Sequence, residues 1–273
     1  MTKQFIEDFL KSVPFSGSAK IAAFDENGIV AIEKAANVMS HPNPNGGKAG
    51  RTLVKARYNF DKQYYSWQDE NGEKRRLHLI NRLDSHTSGL IIASIDEKAA
   101  DAAREAFKNR KVEKTYNAIC AGRPMLKSGI WRDYISKENF ASKFVRAVSP
   151  FGGKTNSESS YEVLKSDQNG LGLTLMKLCP HTGRTHQLRI QCAKRKAPIL
   201  GDGTYGDFSA NKRIKKITGQ DRLFLHCLEI SFNYDLNGKT FSFSAKSQLP
   251  EDFEKIINYN GKAVSAKIEH RQW

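Results

Sequence analysis

Two short apolar runs, residues 77–80 and 90–93, are separated by Asn81-Arg82-Leu83-Asp84-Ser85-His86-Thr87-Ser88-Gly89. Runs of this length and composition suit buried strands, so the chain must enter a core, turn on polar residues and return. Ser85, Thr87 and Ser88 can hydrogen-bond the turn's own backbone, and Gly89 permits a close approach or a positive φ. The turn carries a carboxylate, Asp84, beside a cation, Arg82. An Asp placed this way commonly serves as an N-cap or Asx-turn residue. A polar turn between buried strands is also where chemistry is often placed, and the segment alone leaves both readings open.

The chain around this turn reads as mixed α and β. An amphipathic helix is expected over residues 3–12, with Phe5, Ile6, Phe9 and Leu10 on one stripe. Strands are expected at 21–24 and 29–32 around a turn ending in Asn27-Gly28, then a hairpin over 64–80 around Asn71-Gly72. Residues 53–58 read as a short helix and residues 41–51 as an exposed loop, either a solvated connection or an RNA contact. Tyr64, Tyr65 and Trp67 fit cross-strand packing better than stacking on bases. A helix over 96–109 with Asp96 as N-cap precedes a strand at 112–121. Residues 122–148 form a basic peripheral hairpin carrying Arg123, Lys127, Arg132, Lys137, Lys143 and Arg146, which either faces solvent or touches RNA backbone. Further strands are expected at 157–164, 171–179, 222–230 and 239–245, a helix from the N-cap Thr185 to about residue 196, and a last helix over 251–257. Without regular βαβ alternation, α+β is favoured over α/β.

The 273 residues carry a net charge of +15 and a pI of about 9.6. Such an excess of cations points to a polyanionic partner, nucleic acid first. No apolar run is long enough to span a bilayer, and the acidic N-terminus lacks a secretory block, so no membrane partner and a cytoplasmic location are expected. Cys120, Cys179, Cys192 and Cys227 show no C-x-x-C spacing and are expected to be reduced and buried. His181, His186 and His226 do not make a metal-ligand pattern. Gly201-Asp202-Gly203-Thr204-Tyr205-Gly206 satisfies G-x-G-x-x-G but lacks the flanking strand and helix of a dinucleotide site, because a polar stretch, 207–216, is expected after it. It reads instead as a sharp turn closing a site wall.

A second dense stretch, Pro180-His181-Thr182-Gly183-Arg184-Thr185-His186-Gln187-Leu188-Arg189-Ile190, precedes Pro198-Ile199-Leu200-Gly201-Asp202-Gly203-Thr204-Tyr205-Gly206. With Arg82-Leu83-Asp84, Thr87-Ser88-Gly89-Leu90 and Lys114-Thr115-Tyr116, these segments stand in an order that resembles the RluA-type pseudouridine synthases, over roughly residues 20–258. Such enzymes isomerise uridine in ribosomal and transfer RNA. The resemblance implies a single α+β catalytic domain, with a mixed, largely antiparallel sheet flanked by helices around a central cleft. The expected division is an N-terminal helical extension (1–20), the catalytic domain (21–258) and a basic tail (259–273), with no room before the first strand for the RNA-binding domain some relatives carry.

The resemblance assigns the catalytic carboxylate to Asp84, as nucleophile or in forming a glycal intermediate. Arg189 would pair with it and keep it ionised; Tyr116 would pack on the target base and assist proton removal from C5. Leu188 would lie beneath the base. Arg82 would contact phosphate or fill the gap left by a flipped-out uridine. Asn81, Arg184 and His186 complete the expected substrate-binding set. No nicotinamide or flavin is required, nothing demands a metal, and a monomer is expected. Two departures stand out. Asn81 replaces the usual His before Arg-Leu-Asp, and Glu33-Lys34-Ala35-Ala36-Asn37 lacks the usual Pro and Gly of Lys-Pro-x-Gly before His41-Pro42. The alternatives are a catalytically silent RNA-binding protein on the same scaffold and a basic hydrolase built on Ser, His and Asp of the 84–88 turn.

Overall fold

The computed structural model describes residues 1–17, 19–44, 51–135, 155–167 and 170–259. Part of the 41–51 loop, Lys137, Lys143, Arg146 and the tail from residue 260 lie outside the described residues. The fold is α+β with mostly antiparallel strands, and its residues gather into two compact units. The first comprises residues 1–115 and 226–248, the second residues 116–225 and 249–273. No helix among the described residues is long and apolar enough to cross a membrane.

The first unit is built on β6 (Ser88–Ser94), buried at every residue. β2 (Ile29–Lys34) runs antiparallel along it, from Ile29 opposite Ser94 to Lys34 opposite Gly89. β11 (Leu225–Leu236) pairs parallel with its beginning and β5 (Lys74–Leu79) antiparallel with its end. β1 (Lys20–Phe24) pairs with β2, β4 (Tyr64–Gln68) with β5, β3 (Arg57–Asn59) with β4, and β12 (Lys239–Lys246) with β11. Burial of every residue means that both faces of β6 are covered, which is why it reads as an unbroken run of small and apolar residues. α1 (Lys3–Lys11) buries Ile6, Phe9 and Leu10, and Thr2 caps it by accepting from the Phe5 amide. α2 (Glu97–Lys108) starts where Asp96 accepts from the Ala99 amide and buries an alanine stripe.

Residues 53–58 are not helical. Leu53 and Val54 are fully buried, with Leu53 hydrogen-bonded through its backbone to Met39 and Ser16, and Lys55 to Pro14. These long-range backbone bonds satisfy the groups a helix would have paired internally. Of the three aromatics of β4, Tyr65 is fully buried and Trp67 packs edge-on to Phe9, as core packing requires.

In the second unit β7 (Val112–Ala121, from Tyr116 on), β10 (Leu173–Pro180), β9 (Ser157–Ser166) and β8 (Ser128–Asp133) form an antiparallel series. α3 (Gln187–Lys194) follows β10, and α5 (Glu251–Ile257) adds Phe253, Ile256 and Ile257 to a cluster with Ile119, Leu173, Leu200, Ile214 and Phe224. The 207–216 stretch is helical: α4 (Phe208–Thr218) is capped by Asp207, which accepts from the Ala210 amide, and ends at Gly219 in the left-handed region. Only Ala210 and Ile214, one turn apart, are buried, so its apolar stripe was too thin to register.

Gly89 has φ 108°, and a Cβ there would lie 2.2 Å from the Cys227 carbonyl oxygen. The parallel pairing of β6 with β11 therefore requires glycine at this position. Gly89→Ala is expected to lower stability by more than ~2 kcal/mol in urea unfolding, whereas Gly72→Ala, where nothing lies within 4 Å and the strain is that of its positive φ of 75°, costs about 1 kcal/mol.

Candidate active site

Leaving β5, the chain is gripped at once. The side-chain Oδ1 of Asn81 accepts from the Ile92 amide at 2.7 Å, beside the Ile80–Ile92 backbone bond at 3.0 Å. Asn81 thus ties the turn's entry to β6, and half its side-chain capacity is spent on backbone. Ser40 holds Leu83 from both sides: its hydroxyl donates to the Leu83 carbonyl at 2.7 Å and accepts from the Leu83 amide at 3.1 Å. The Asp84 carbonyl accepts from the Thr87 amide, closing the turn. Asp84 itself is half-buried between the buried Leu83 and Thr87.

Lys34 is the part of this arrangement that sequence analysis missed. It ends β2 with 2% exposure, and its ammonium donates to the carbonyls of Ala35, Val38 and Ser85 at 3.0, 2.7 and 3.1 Å. A buried ammonium is tolerated only when its donors are used, and here one of them fixes the residue next to Asp84. The available signal was a Lys closing a strand that begins with four apolar residues.

Arg82 is exposed, and its Nη1 lies 2.9 Å from His41 Nε2. His41 Nδ1 stands 2.7 Å from the Pro42 carbonyl, which can only accept, so Nδ1 donates and Nε2 accepts from Arg82. Burial first, and the Arg82 charge with it, hold the His41 pKa below its ordinary value against the Pro42 bond, which keeps the ring neutral. His86 faces Asn37 at 2.8 Å. Ser88 and His226 are hydrogen-bonded at 2.8 Å, but both are buried, and His226 continues to Ser247 at 3.0 Å. A buried pair shared between adjacent strands serves packing rather than hydrolysis.

In the second unit the Thr182–Arg189 motif is shaped by a side chain that sequence analysis passed over. Gln187 accepts from the Thr182 hydroxyl at 2.7 Å and the Arg184 amide at 3.1 Å, and donates to Glu158 O and Ser159 Oγ. With the loop closed this way, the N-cap is His186 in the left-handed conformation (φ 54°), not Thr185, and α3 stops at Lys194. The helix is anchored at its far end by the buried Asp133, which takes Lys194 at 2.6 Å, Arg195 at 2.5 Å and Gln191 at 3.1 Å.

Arg189 projects from this helix with 4% exposure. Its Nε and Nη2 donate to the two carboxylate oxygens of Asp202 at 2.7 and 2.8 Å, and its guanidinium lies over the Tyr205 ring, 5.1 Å from the centroid. Asp202 also accepts from the Thr204 and Tyr205 amides, and the Tyr205 hydroxyl meets His186 Nδ1 at 2.9 Å. The glycine-rich segment is therefore an arginine clamp, with Gly201 at φ 75° where a Cβ would meet the Arg222 carbonyl at 1.8 Å. Leu188 and Tyr116 are buried, Tyr116 opposite Leu178 in the β7–β10 register, while Arg184 is exposed and donates to the Asn156 carbonyl. Cys120, Cys192 and Cys227 are buried free thiols; Cys179 is only half-buried.

Burial alone would raise the Asp202 pKa, but the hydrogen bonds and charge of Arg189, with the Thr204 and Tyr205 amides, bring it below the ordinary carboxylate value. A depressed folded-state pKa contributes stability that is present above the unfolded value, near ~4, and is lost as pH falls through the folded one. Urea unfolding of Asp202→Asn is expected to show a loss of about 3 kcal/mol at pH 7, shrinking steadily below pH ~4. A loss that stays constant with pH would show that the carboxylate charge is not what holds Arg189.

Comparison with known proteins agrees with the motifs and the fold. Residues 28–194 match the family model described as RNA pseudouridylate synthase. The chain is 29% identical over 252 residues to an RNA pseudouridine synthase of Mycobacterium bovis, covering 91% of this chain and 75% of that protein. It is 28% identical to a ribosomal large subunit pseudouridine synthase C of Rickettsia bellii, over 85% of this chain and 69% of the other. It is 29% identical to the tRNA pseudouridine synthase C of Yersinia pestis, over 67% and 73%. In fold it matches the structure titled human RNA pseudouridylate synthase domain containing 4, with TM-score 0.59 and 20% identity over 93% of this chain and 94% of that one. The chain belongs to the RNA pseudouridylate synthase family as an RluA-type member, and it is an isomerase of that family.

Proposed function

We propose that this enzyme converts one or a few uridines of ribosomal or transfer RNA to pseudouridine, with Asp84 as the catalytic carboxylate in a catalytic domain spanning residues 21–258. The observation that carries the reading is the backbone-held Asp84 turn with Arg82 two residues before it, in a chain that also keeps Tyr116 and the clamped Arg189. Relatives named for large-subunit ribosomal RNA and for transfer RNA both support the substrate class. The net charge of +15 supports a polyanion.

The reaction breaks N1–C1′ and makes C5–C1′ on the same nucleotide. Asp84 acts at the ribose, either by attacking C1′ as the uracil anion leaves or by taking a ribose proton to give a glycal. The base then turns and C5 bonds to C1′, displacing the Asp84 carboxylate from C1′ in the first route and with Asp84 returning its proton to the ribose in the second; the C5 proton is lost with help from Tyr116, and N1 takes a proton from solvent. Arg189 is assigned to pair with Asp84 in the assembled site, which favours the ionised acid. Leu188 supports the base, and Arg82, Arg184 and His186 contact the strand around a flipped-out uridine. Asn81, with its side-chain Oδ1 committed to Ile92, acts through the geometry of the turn. The protein works as a cytoplasmic monomer without an added cofactor.

Incubation with unmodified ribosomal and transfer RNA transcripts labelled with tritium at C5 of uridine tests this directly. Wild-type protein is expected to release tritium to water, and Asp84→Asn to reduce release by a factor on the order of 10⁴ while unfolding at the same urea midpoint. Undiminished release from the variant would remove Asp84 from its role. RNA binding without any release from the wild type would make the chain a silent scaffold.

A further inference from the structure

Beside the Asp84 turn the first unit carries a group of aromatic rings that the isomerisation itself does not use. His41, the residue that receives Arg82, stacks on Tyr58 with centroids 5.0 Å apart and planes at 10°. Phe60 stands edge-on to both, 6.0 Å from His41 and 5.1 Å from Tyr58. Tyr58 rests in turn on the edge of fully buried Tyr65 at 4.9 Å, and the Tyr65 hydroxyl donates to the Ser40 carbonyl at 2.8 Å. Ser40 is the residue whose hydroxyl clamps Leu83, next to Asp84. The rings are thus coupled through Ser40 and Arg82 to the turn that carries the carboxylate.

Stability does not account for the outermost member. Phe60 follows β3 at the tip of its turn and leaves 42% of its surface in water, while Arg57 and Arg82 near it in the fold or sequence are also exposed. An exposed ring with exposed guanidinium groups has the chemistry of a surface for single-stranded nucleic acid, where bases stack on aromatic faces and cations take the phosphates. A second copy of this strongly basic chain would bring like charges together, so the electrostatics favour a polyanion.

We propose that Phe60, backed by Tyr58 and His41, is a stacking platform for an unpaired base of the RNA flanking the target uridine, with Arg82, oriented by neutral His41, taking a phosphate beside it. This rests on the reading of the chain as an RNA-modifying enzyme and adds to it a contact outside the reacting nucleotide. Stacking is tolerant of base identity, so the platform sets where the strand lies and leaves the choice of sequence to other contacts.

The test uses a short single-stranded oligouridylate carrying one 2-aminopurine, whose fluorescence falls on stacking, together with tritium release from full-length transcripts. Phe60→Ala, an exposed position where folding is not at risk, is expected to weaken oligonucleotide binding about tenfold and abolish the quenching. It should raise KM by a similar factor with kcat within about twofold, and Phe60→Trp should restore both. Unchanged affinity, quenching and KM in Phe60→Ala would overturn the platform. If the wild type releases no tritium but Phe60→Ala still loses binding and quenching, the catalytic reading fails and the platform stands.

Discussion

The backbone around Asp84 is held by side chains other than its own. In this protein the grip is supplied from three directions. Asn81 fixes the entry of the turn to β6, Ser40 takes both backbone groups of Leu83, and Lys34 takes the carbonyl of Ser85. Ser40 and Lys34 act on main-chain atoms of the two residues flanking Asp84, and Asn81 ties the entry of the turn to the Ile92 amide, so the turn is held by hydrogen bonds in a largely buried setting, where each would be costly to leave unmade. The strands β2 and β6 exist, in this sense, to bring those partners to one place.

The second unit applies the same economy to a cation. A buried guanidinium without a partner would cost several kcal/mol, and Asp202 removes that cost with a two-pronged ion pair. Tyr205 covers one face of the guanidinium and meets His186 through its hydroxyl, so that the two motif stretches of the sequence, 180–190 and 198–206, are one unit of structure. The helix carrying Arg189 is itself fixed at its other end by Asp133. Arg189 is thus held by Asp202 and its helix by Asp133, a fixed arrangement of charges of the kind found in preorganised sites.

Much of this was legible in the sequence. The pattern placed β7, α2 and α5 to within a residue or two: β7 is an apolar run, α2 has an alanine stripe capped by Asp96, and α5 starts directly after Pro250. It failed at 53–58, where two adjacent apolar residues are buried by partners forty or fewer residues away rather than by a helical face, and at α4, where a single buried pair carries the stripe. The N-cap of α3 was misplaced because Gln187, not a small hydroxyl residue, closes the loop before it. The motifs pointed to Asp84 and Arg189, yet gave no account of Lys34, Ser40 or Asp202. Their partners are backbone groups or distant side chains, and a linear pattern does not encode which carbonyl a lysine will reach.

Lys34 also decides how the turn responds to its surroundings. Three inward-facing carbonyls are the kind of nest in which a protein often seats a free monovalent ion, whose occupancy then follows the salt content of the medium. Here the ion is the chain's own, tethered by its side chain and present at unit stoichiometry from the moment β2 forms. The carbonyls beside Asp84 are therefore satisfied by a covalently attached cation, and holding them draws nothing from the ions of the medium.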